Sequence, residues 1–254
     1  MEIKINNYLI NEKKISFTIK NNSITGLISN NNKDIFNIFY LDNFKNNSII
    51  INNIKLNSIN KYAFIKRISL VKEIENNKYN NTVYEVILNE IKSNSLSFDN
   101  ISLKKLFKII NLDFSYIERS YESLSSKEKI LISIALSLLK DSDVLVLYNI
   151  FKKIDLIAKK QIMLLIKKFQ EDYKKTILII SDNYEDLYKY TTDMIIIDDD
   201  KIYEDKTNDI YINNNISNIP KIIEFRNLLY MKKNIKLSYH KDVRDLLKDI
   251  YKHI

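Results

Sequence analysis

The stretch from residue 121 to residue 155 constrains the fold more than any other part of this 254-residue chain. Ser125, with Glu128 three positions later, has the pattern of a capping box, in which two side chains satisfy free N–H groups at the start of a helix. Apolar residues then recur at helical spacing, which predicts a helix of about three turns from Ser126. After a short polar turn, the uniformly apolar segment 144–147 predicts a strand covered on both faces of a parallel sheet. The stretch is therefore typical of an α/β fold.

The same stretch resembles, without a gap, the signature, Walker B and D-loop segment of ATP-binding cassette (ABC) ATPases. That family has LSGGQ, a helix, four apolar residues, D-E-P and then a D-loop Asp. Tyr148 and Asn149 stand at the positions of the Mg²⁺-binding Asp and the catalytic Glu. The residues that the resemblance assigns to the signature and D-loop, facing the ATP site of a partner, are Leu124, Ser125, Ser126, Lys127, Glu128 and Asp155. Asp155 also suits the N-cap of the amphipathic helix predicted after it, and the D-loop role is no more favoured than this cap. The order of segments is kept, whereas most of the chemically essential side chains are replaced.

A strand predicted at 24–28 leads to the place where the resemblance implies a phosphate-binding loop. The family pattern G-x-x-G-x-G-K-[ST] uses glycines so that backbone N–H groups close on the phosphates. The residues here include Gly26, Ser29, Asn32, Lys33 and Asp34. Without a gap, Ile35 takes the place of the family's Lys; with a two-residue deletion, Lys33 takes it and Asp34 replaces the Mg²⁺-binding hydroxyl. Neither alignment completes the loop, so a polar turn from strand to helix is the favoured interpretation.

Two further family positions are also changed. Glu73 replaces the Q-loop Gln, and Asp182 replaces the switch His that senses the γ-phosphate. ABC hydrolysis is phosphoryl transfer and depends on electrostatic groups that hold phosphate, Mg²⁺ and water. Asn149 cannot act as a general base. Although the family hydrolyses ATP, we expect this chain to be a pseudo-ATPase, with ATP and Mg²⁺ only at a composite site shared with a partner.

The resemblance implies the whole architecture. We predict an ABC-ATPase (P-loop NTPase-like) α/β core with an antiparallel β subdomain, an inserted helical subdomain at about 74–141 and a small C-terminal helical extension. The ATPase-like domain would span 1–212 and the extension 213–254. Within the extension, two helices joined by an extended link resemble those of energy-coupling factor (ECF) transporter ATPase subunits. Ser102 is predicted to cap a helix that runs to residue 110, and a final helix is predicted at 241–253.

Composition limits the other classes of function. The net charge is +8, but the lysines are scattered among acidic residues, so we expect no nucleic-acid partner. The chain has no cysteine and two histidines, which leaves no thiolate metal site, and we predict no metal site of its own. The single glycine means that Asn and Asp must make most of the turns. We expect a cytoplasmic protein, peripheral on the inner face of the cell membrane.

Three functions remain open. The first is a non-catalytic subunit of an ECF-type transporter, paired with a competent ABC ATPase and a transmembrane scaffold, with Tyr79, Tyr84 and Phe98 as candidate scaffold contacts. The second is a regulatory or scaffolding pseudo-ATPase away from any transporter, and the third is a weak ATP hydrolase. Adenine can stack on an aromatic residue such as Tyr8, and such a contact leaves little mark in a sequence. The sequence therefore leaves open whether nucleotide binds. Ser125 is equally a candidate for the partner's ATP site and for a simple helix cap.

Overall fold

The computed structural model describes residues 1–40, 43, 48–57, 59–72, 81–93, 100–198, 201–214, 216 and 218–252. Its strands are β1 (Ile3–Ile10), β2 (Lys13–Ile19), β3 (Ile24–Ser29), β4 (Ile49–Ile51), β5 (Ile54–Lys55), β6 (Ile68–Val71), β7 (Val144–Tyr148), β8 (Thr176–Ile180), β9 (Asp193–Asp198) and β10 (Lys201–Lys206). Its α-helices are α1 (Asn32–Asn37), α2 (Lys61–Ile65), α3 (Val83–Ser93), α4 (Asn100–Ile109), α5 (Ser126–Leu139), α6 (Leu156–Tyr173), α7 (Tyr184–Tyr190), α8 (Ile210–Asn213), α9 (Lys221–Lys233) and α10 (Val243–Tyr251).

The described strands form two sheets. The larger has the strand order β10-β9-β3-β8-β7-β6, in which β10 pairs antiparallel with β9 and all other neighbours are parallel. The smaller sheet has the order β2-β1-β4-β5 and is antiparallel. Since parallel strands need crossover connections, the helices between them lie against the larger sheet. The carboxyl ends of β3, β7 and β8 therefore meet at one edge.

Strand β7 shows how the core is divided. Its side chains alternate between faces, as in any strand. Leu145 and Leu147 belong to the apolar cluster formed with the helices, whereas Val144 and Val146 belong to the cluster shared with the antiparallel sheet. Each of these four residues is at most 1% exposed. The prediction of a strand covered on both faces is confirmed.

Glycine and asparagine take different roles in this backbone. Gly26 lies inside β3, and a Cβ atom there would come within 3.0 to 3.2 Å of side-chain atoms of Thr191 and Leu187. A larger residue would push α7 away from the sheet. The left-handed turns are made instead mostly by asparagines, which tolerate positive φ better than other non-glycine residues. The asparagines with positive φ among the described residues are Asn7, Asn11, Asn22, Asn52, Asn53, Asn111, Asn149 and Asn234.

Several predicted boundaries change in the structure. Helix α4 begins at Asn100, so Ser102 lies within it, and the prediction that Ser102 caps this helix is wrong. Helix α5 is 14 residues long, or about four turns rather than three. The last helix begins at Val243 because the Asp242 carboxylate accepts a hydrogen bond from the Arg244 N–H and caps it there.

Candidate functional site

The candidate site lies where the parallel strands β3, β7 and β8 end. In α/β sheets this carboxyl edge is the usual place for ligands. The residues that follow the strands include Asn32, Asn149 and Asp182, three positions that the sequence singled out. The fold therefore gathers these distant residues into one small region.

Asp182 is the centre of a hydrogen-bond network. Its Oδ1 accepts a hydrogen bond from Asn32 Nδ2 at 2.6 Å, and its Oδ2 accepts one from Asn149 Nδ2 at 3.4 Å. Asn32 is buried, with only 4% of its surface exposed. Its side-chain Oδ1 accepts a hydrogen bond from the Ser29 N–H at 2.8 Å. One carboxylate thus links the turn after β3 to the ends of β7 and β8.

Tyr148 forms an aromatic stack with a residue that sequence reasoning missed. The rings of Phe36 and Tyr148 have centroids 4.8 Å apart and planes 22° apart, and Tyr40 contacts Phe36 edge-on at 5.7 Å. Burial raises the pKa of Tyr148, and the carboxylates of Asp182 and Asp34 raise it further. The phenol is therefore neutral at physiological pH. The gap-free alignment was the available signal. With Ile35 at the place of the family's Lys, it puts Phe36 at the place of the Mg²⁺-binding hydroxyl, beside the phosphate-binding loop.

The turn between β3 and α1 is short and uses its own polar groups. Only residues 30 and 31 separate the strand from the helix. The Asn31 N–H donates to Ser29 Oγ at 3.1 Å, so this amide, like that of Ser29, is already engaged. Asp34 is exposed and its Oδ2 accepts from Asn11 Nδ2 at 3.4 Å, while Lys33 is exposed beside it.

Ser125 makes the predicted capping box at the start of α5. Its Oγ accepts from the Glu128 N–H at 3.3 Å and donates to Glu128 Oε2 at 2.8 Å, while the same Oε2 accepts from the Ser125 N–H at 2.8 Å. Burial would raise the pKa of Glu128, but the hydrogen bonds from Ser125 and Tyr116 outweigh it and lower the pKa. The helix cap is therefore confirmed. Leu124 is buried beside it, and Ser126 is the first residue of the helix.

The Lys127 ammonium and the Asp155 carboxylate both turn toward α6. Lys127 Nζ donates to Gln161 Oε1. Asp155 caps the helix by accepting from the N–H groups of Ile157 at 2.8 Å and Ala158 at 2.9 Å. These hydrogen bonds, first that of Ala158, lower the pKa of Asp155. Asp155 is thus fully accounted for as a helix cap in the isolated chain.

The remaining residues singled out from the sequence add no further contact to the candidate site in the described part of the chain. Glu73, Tyr79 and Phe98 lie outside the described residues. Tyr8 is 5% exposed, and its hydroxyl donates to the Asn43 carbonyl at 2.6 Å, so its ring does not offer a face for adenine. Among the residues that the structure describes, no group of three His, Asp or Glu could hold a metal ion. None of the described helices combines the length and apolar character needed to cross a bilayer.

Comparisons with known proteins identify the fold. No protein-family model and no curated protein matches the sequence. The structure is similar to CbiO1 from Clostridium perfringens, described as part of the ABC transporter complex CbiONQ, with a TM-score of 0.70 and 16% identity over 91% of this chain and 95% of that chain.

Two further solved structures give the same result. One is MJ0796, a bacterial ABC transporter cassette solved as a dimer, with a TM-score of 0.64 and 18% identity over 81% of this chain and 98% of that chain. The other is a nucleotide-free ATP-binding cassette from an ABC transporter, with a TM-score of 0.68 and 16% identity over 88% of this chain and 98% of that chain. The chain therefore has the fold of the ATP-binding cassettes of ABC transporters, including the antiparallel β subdomain.

Proposed function

We propose that this chain is a catalytically degenerate ATPase-like subunit of an ABC transporter of the ECF type, which acts with a competent ATPase subunit in ATP-driven uptake. The observation that carries the proposal is the network around Asp182, together with the ring stack of Tyr148, at the strand ends of a cassette fold. Residues that would have to face phosphate, Mg²⁺ and water bind one another instead.

The residues at this edge do not fit Mg²⁺-ATP. Mg²⁺ prefers oxygen ligands with near-octahedral geometry, and the place of its carboxylate is taken by the neutral Tyr148, stacked on Phe36. Phosphate needs N–H donors or cations, but the Ser29 and Asn31 amides are engaged and the nearby Asp182 is an acid. This arrangement offers no group that would carry a hydrolytic step.

A degenerate subunit still has a use in a dimer of cassettes. In that family each ATP lies between the Walker motifs of one subunit and the signature of the other. This chain retains Leu124, Ser125 and a capped signature helix, so we propose that it completes the ATP site of a competent partner. The capping box alone also accounts for Ser125, since the hydroxyl makes both of its hydrogen bonds within the cap.

Two observations favour a transporter subunit of the ECF type over a free pseudo-ATPase. Helices α9 and α10 follow the cassette, as the ECF resemblance leads us to expect. The three solved structures named above all come from ABC transporters, and the likeness to CbiO1, described as part of a transporter complex, spans 91% of this chain.

The test is reconstitution of this chain with a competent ATPase subunit and a transmembrane subunit in one complex. We expect one hydrolysing site per complex. Replacing the catalytic Glu of the partner should abolish ATP hydrolysis, whereas Asn149→Ala should leave its rate unchanged. A complex whose turnover halves when Asn149 is replaced would contradict the proposal, because a second site would then contribute.

A further inference from the structure

An exposed arginine lies beside the signature segment. Arg119 follows the short 3₁₀ helix Phe114–Glu118, six positions before Ser125. Its guanidinium carbon lies 3.8 Å from the centroid of the Tyr116 ring, so the planar group lies on the face of that ring. Within the described ranges, the guanidinium makes no hydrogen bond and no ion pair. The stack therefore orients the group and leaves its N–H donors free.

Tyr116 also connects Arg119 to the capping box of α5. The Tyr116 hydroxyl donates to the carboxylate of Glu128. The Oε2 atom of Glu128 accepts from the N–H and from the hydroxyl of Ser125, each at 2.8 Å. The charge of Arg119 adds to these hydrogen bonds in lowering the pKa of Glu128 against the effect of burial. A short series of contacts thus places the guanidinium next to the signature.

The other carboxylates of this region do not neutralise Arg119 by an ion pair. Asp113 accepts a hydrogen bond from the Ser115 N–H at 2.8 Å. Glu122 lies 3.9 Å from the ammonium group of Lys129. Glu118 is exposed, and as far as the chain is described it forms no ion pair. The guanidinium therefore stays available to an anion from outside this chain.

The signature has few other donors to offer. Lys127 Nζ donates to Gln161, and the Ser125 hydroxyl makes both of its hydrogen bonds within the cap. Ser126 and Lys127 also stand where the family has glycines that permit close approach to the phosphates. A phosphate held farther from the helix needs a donor with a longer reach, and an arginine side chain provides it.

We propose that Arg119 binds the phosphates of the ATP held by the partner subunit, as a second contact beside Ser125. The inference rests on the proposed function, because a dimer of cassettes brings this signature to an ATP. A guanidinium presents its donors in one plane and can bind phosphate through two parallel, charge-assisted hydrogen bonds. An arginine placed at a nucleotide across an interface stabilises the charge that develops during phosphoryl transfer.

The test uses the complex reconstituted with a competent ATPase subunit and a transmembrane subunit, and measures kcat/KM for ATP. Arg119→Ala should lower kcat/KM by about tenfold or more, because a contact made in the transition state is lost. Arg244→Ala is the matched control at an exposed arginine of α10 and should leave kcat/KM unchanged. Equal values for the two variants would overturn the inference and leave the transporter proposal standing.

Tyr116→Phe distinguishes a contact with ATP from a structural role of Arg119. This variant keeps the ring on which the guanidinium lies and removes the hydroxyl that binds Glu128. We expect kcat/KM to stay close to that of the unmodified complex. A loss as large as that of Arg119→Ala would show that Arg119 acts through the capping box, and would overturn the inference. If the partner's ATPase rate does not depend on the presence of this chain, the inference and the proposed function both fail.

Discussion

Asn32 Nδ2 donates to Asp182 Oδ1 at 2.6 Å, across 150 positions of sequence, and joins the turn after β3 to the end of β8. In a nucleotide-binding cassette these two places face the phosphates. Here the amide and the carboxylate bind each other.

This contact should contribute to stability. In Asp182→Ala the buried Asn32 amide loses its acceptor, and an unsatisfied buried donor costs about 1 to 3 kcal/mol. The free energy of unfolding, measured by urea titration, should fall by that amount. Asp172→Ala, at an exposed position of α6, is the control and should change it by less than about 0.5 kcal/mol. Equal effects of the two variants would mean that the network adds nothing.

A second prediction concerns acid sensitivity. Asp193 is 4% exposed and pairs with Lys206 at 2.9 Å and Lys20 at 3.1 Å. Burial would raise the pKa of Asp193, but hydrogen bonds from Lys206, Thr192 and Lys20 outweigh it and lower the pKa. The folded carboxylate then holds its proton more weakly than the unfolded one, so its stabilisation is present above about pH 4 and is lost as the pH falls through the lowered value.

Urea titrations at a series of pH values from neutral to acidic check this sign. Asp193→Asn should be less stable near neutral pH and should lose less further stability on acidification than the unmodified chain. Parallel curves for the two proteins below about pH 4 would contradict the assignment.

A substitution of Ser125 can distinguish its role as a helix cap from a role in contacting the ATP of a partner. Asp can cap a helix, but the Ser125 hydroxyl also donates to Glu128 Oε2 at 2.8 Å and a carboxylate cannot. Ser125→Asp should therefore preserve the fold at a cost of about 1 kcal/mol. In the reconstituted complex, the new carboxylate would repel the phosphate of the partner's ATP. We expect the ATPase rate of the complex to fall by about tenfold or more, as for loss of one transition-state contact. An unaffected rate would leave Ser125 as a helix cap only.

A fourth prediction addresses the contact with a transmembrane subunit. Tyr84, on α3 of the predicted helical subdomain, is 37% exposed and is the one scaffold candidate that the structure describes. Tyr84→Asp should weaken co-purification of that subunit, because a charge would be placed in an apolar contact. Tyr62→Asp, at a residue 55% exposed on α2, is the matched control. Retention of the subunit by the Tyr84 variant would count against this surface.

Local patterns predicted much of the fold. The capping box at Ser125, the cap at Asp155 and the doubly covered strand β7 depend on neighbours in sequence and on hydrophobic periodicity, and all three are present. The start of α4 was misplaced because Ser102 satisfies the local rule for a cap although the helix begins earlier at Asn100. Helix boundaries depend on backbone contacts that a short pattern does not contain.

The site could be predicted only in part. The resemblance identified Tyr148, Asn149 and Asp182 as replacements, but their pairing with Phe36 and Asn32 depends on the approach of strands far apart in sequence. Side-chain direction decides these contacts, and no spacing rule gives it. For the same reason the Lys127 contact with Gln161 could not be foreseen from the signature pattern.

We expect that this chain does not bind Mg²⁺-ATP at its own site. Calorimetric titration of the isolated chain with Mg²⁺-ATP tests it most directly, with Lys33→Ala and Asn149→Ala in parallel and phosphate release followed on the same samples. We predict no Mg²⁺-dependent binding tighter than about 1 mM, a free energy of only about −4 kcal/mol, and no phosphate release in any of the three proteins. Tight Mg²⁺-dependent binding or hydrolysis that disappears in Lys33→Ala would contradict the account.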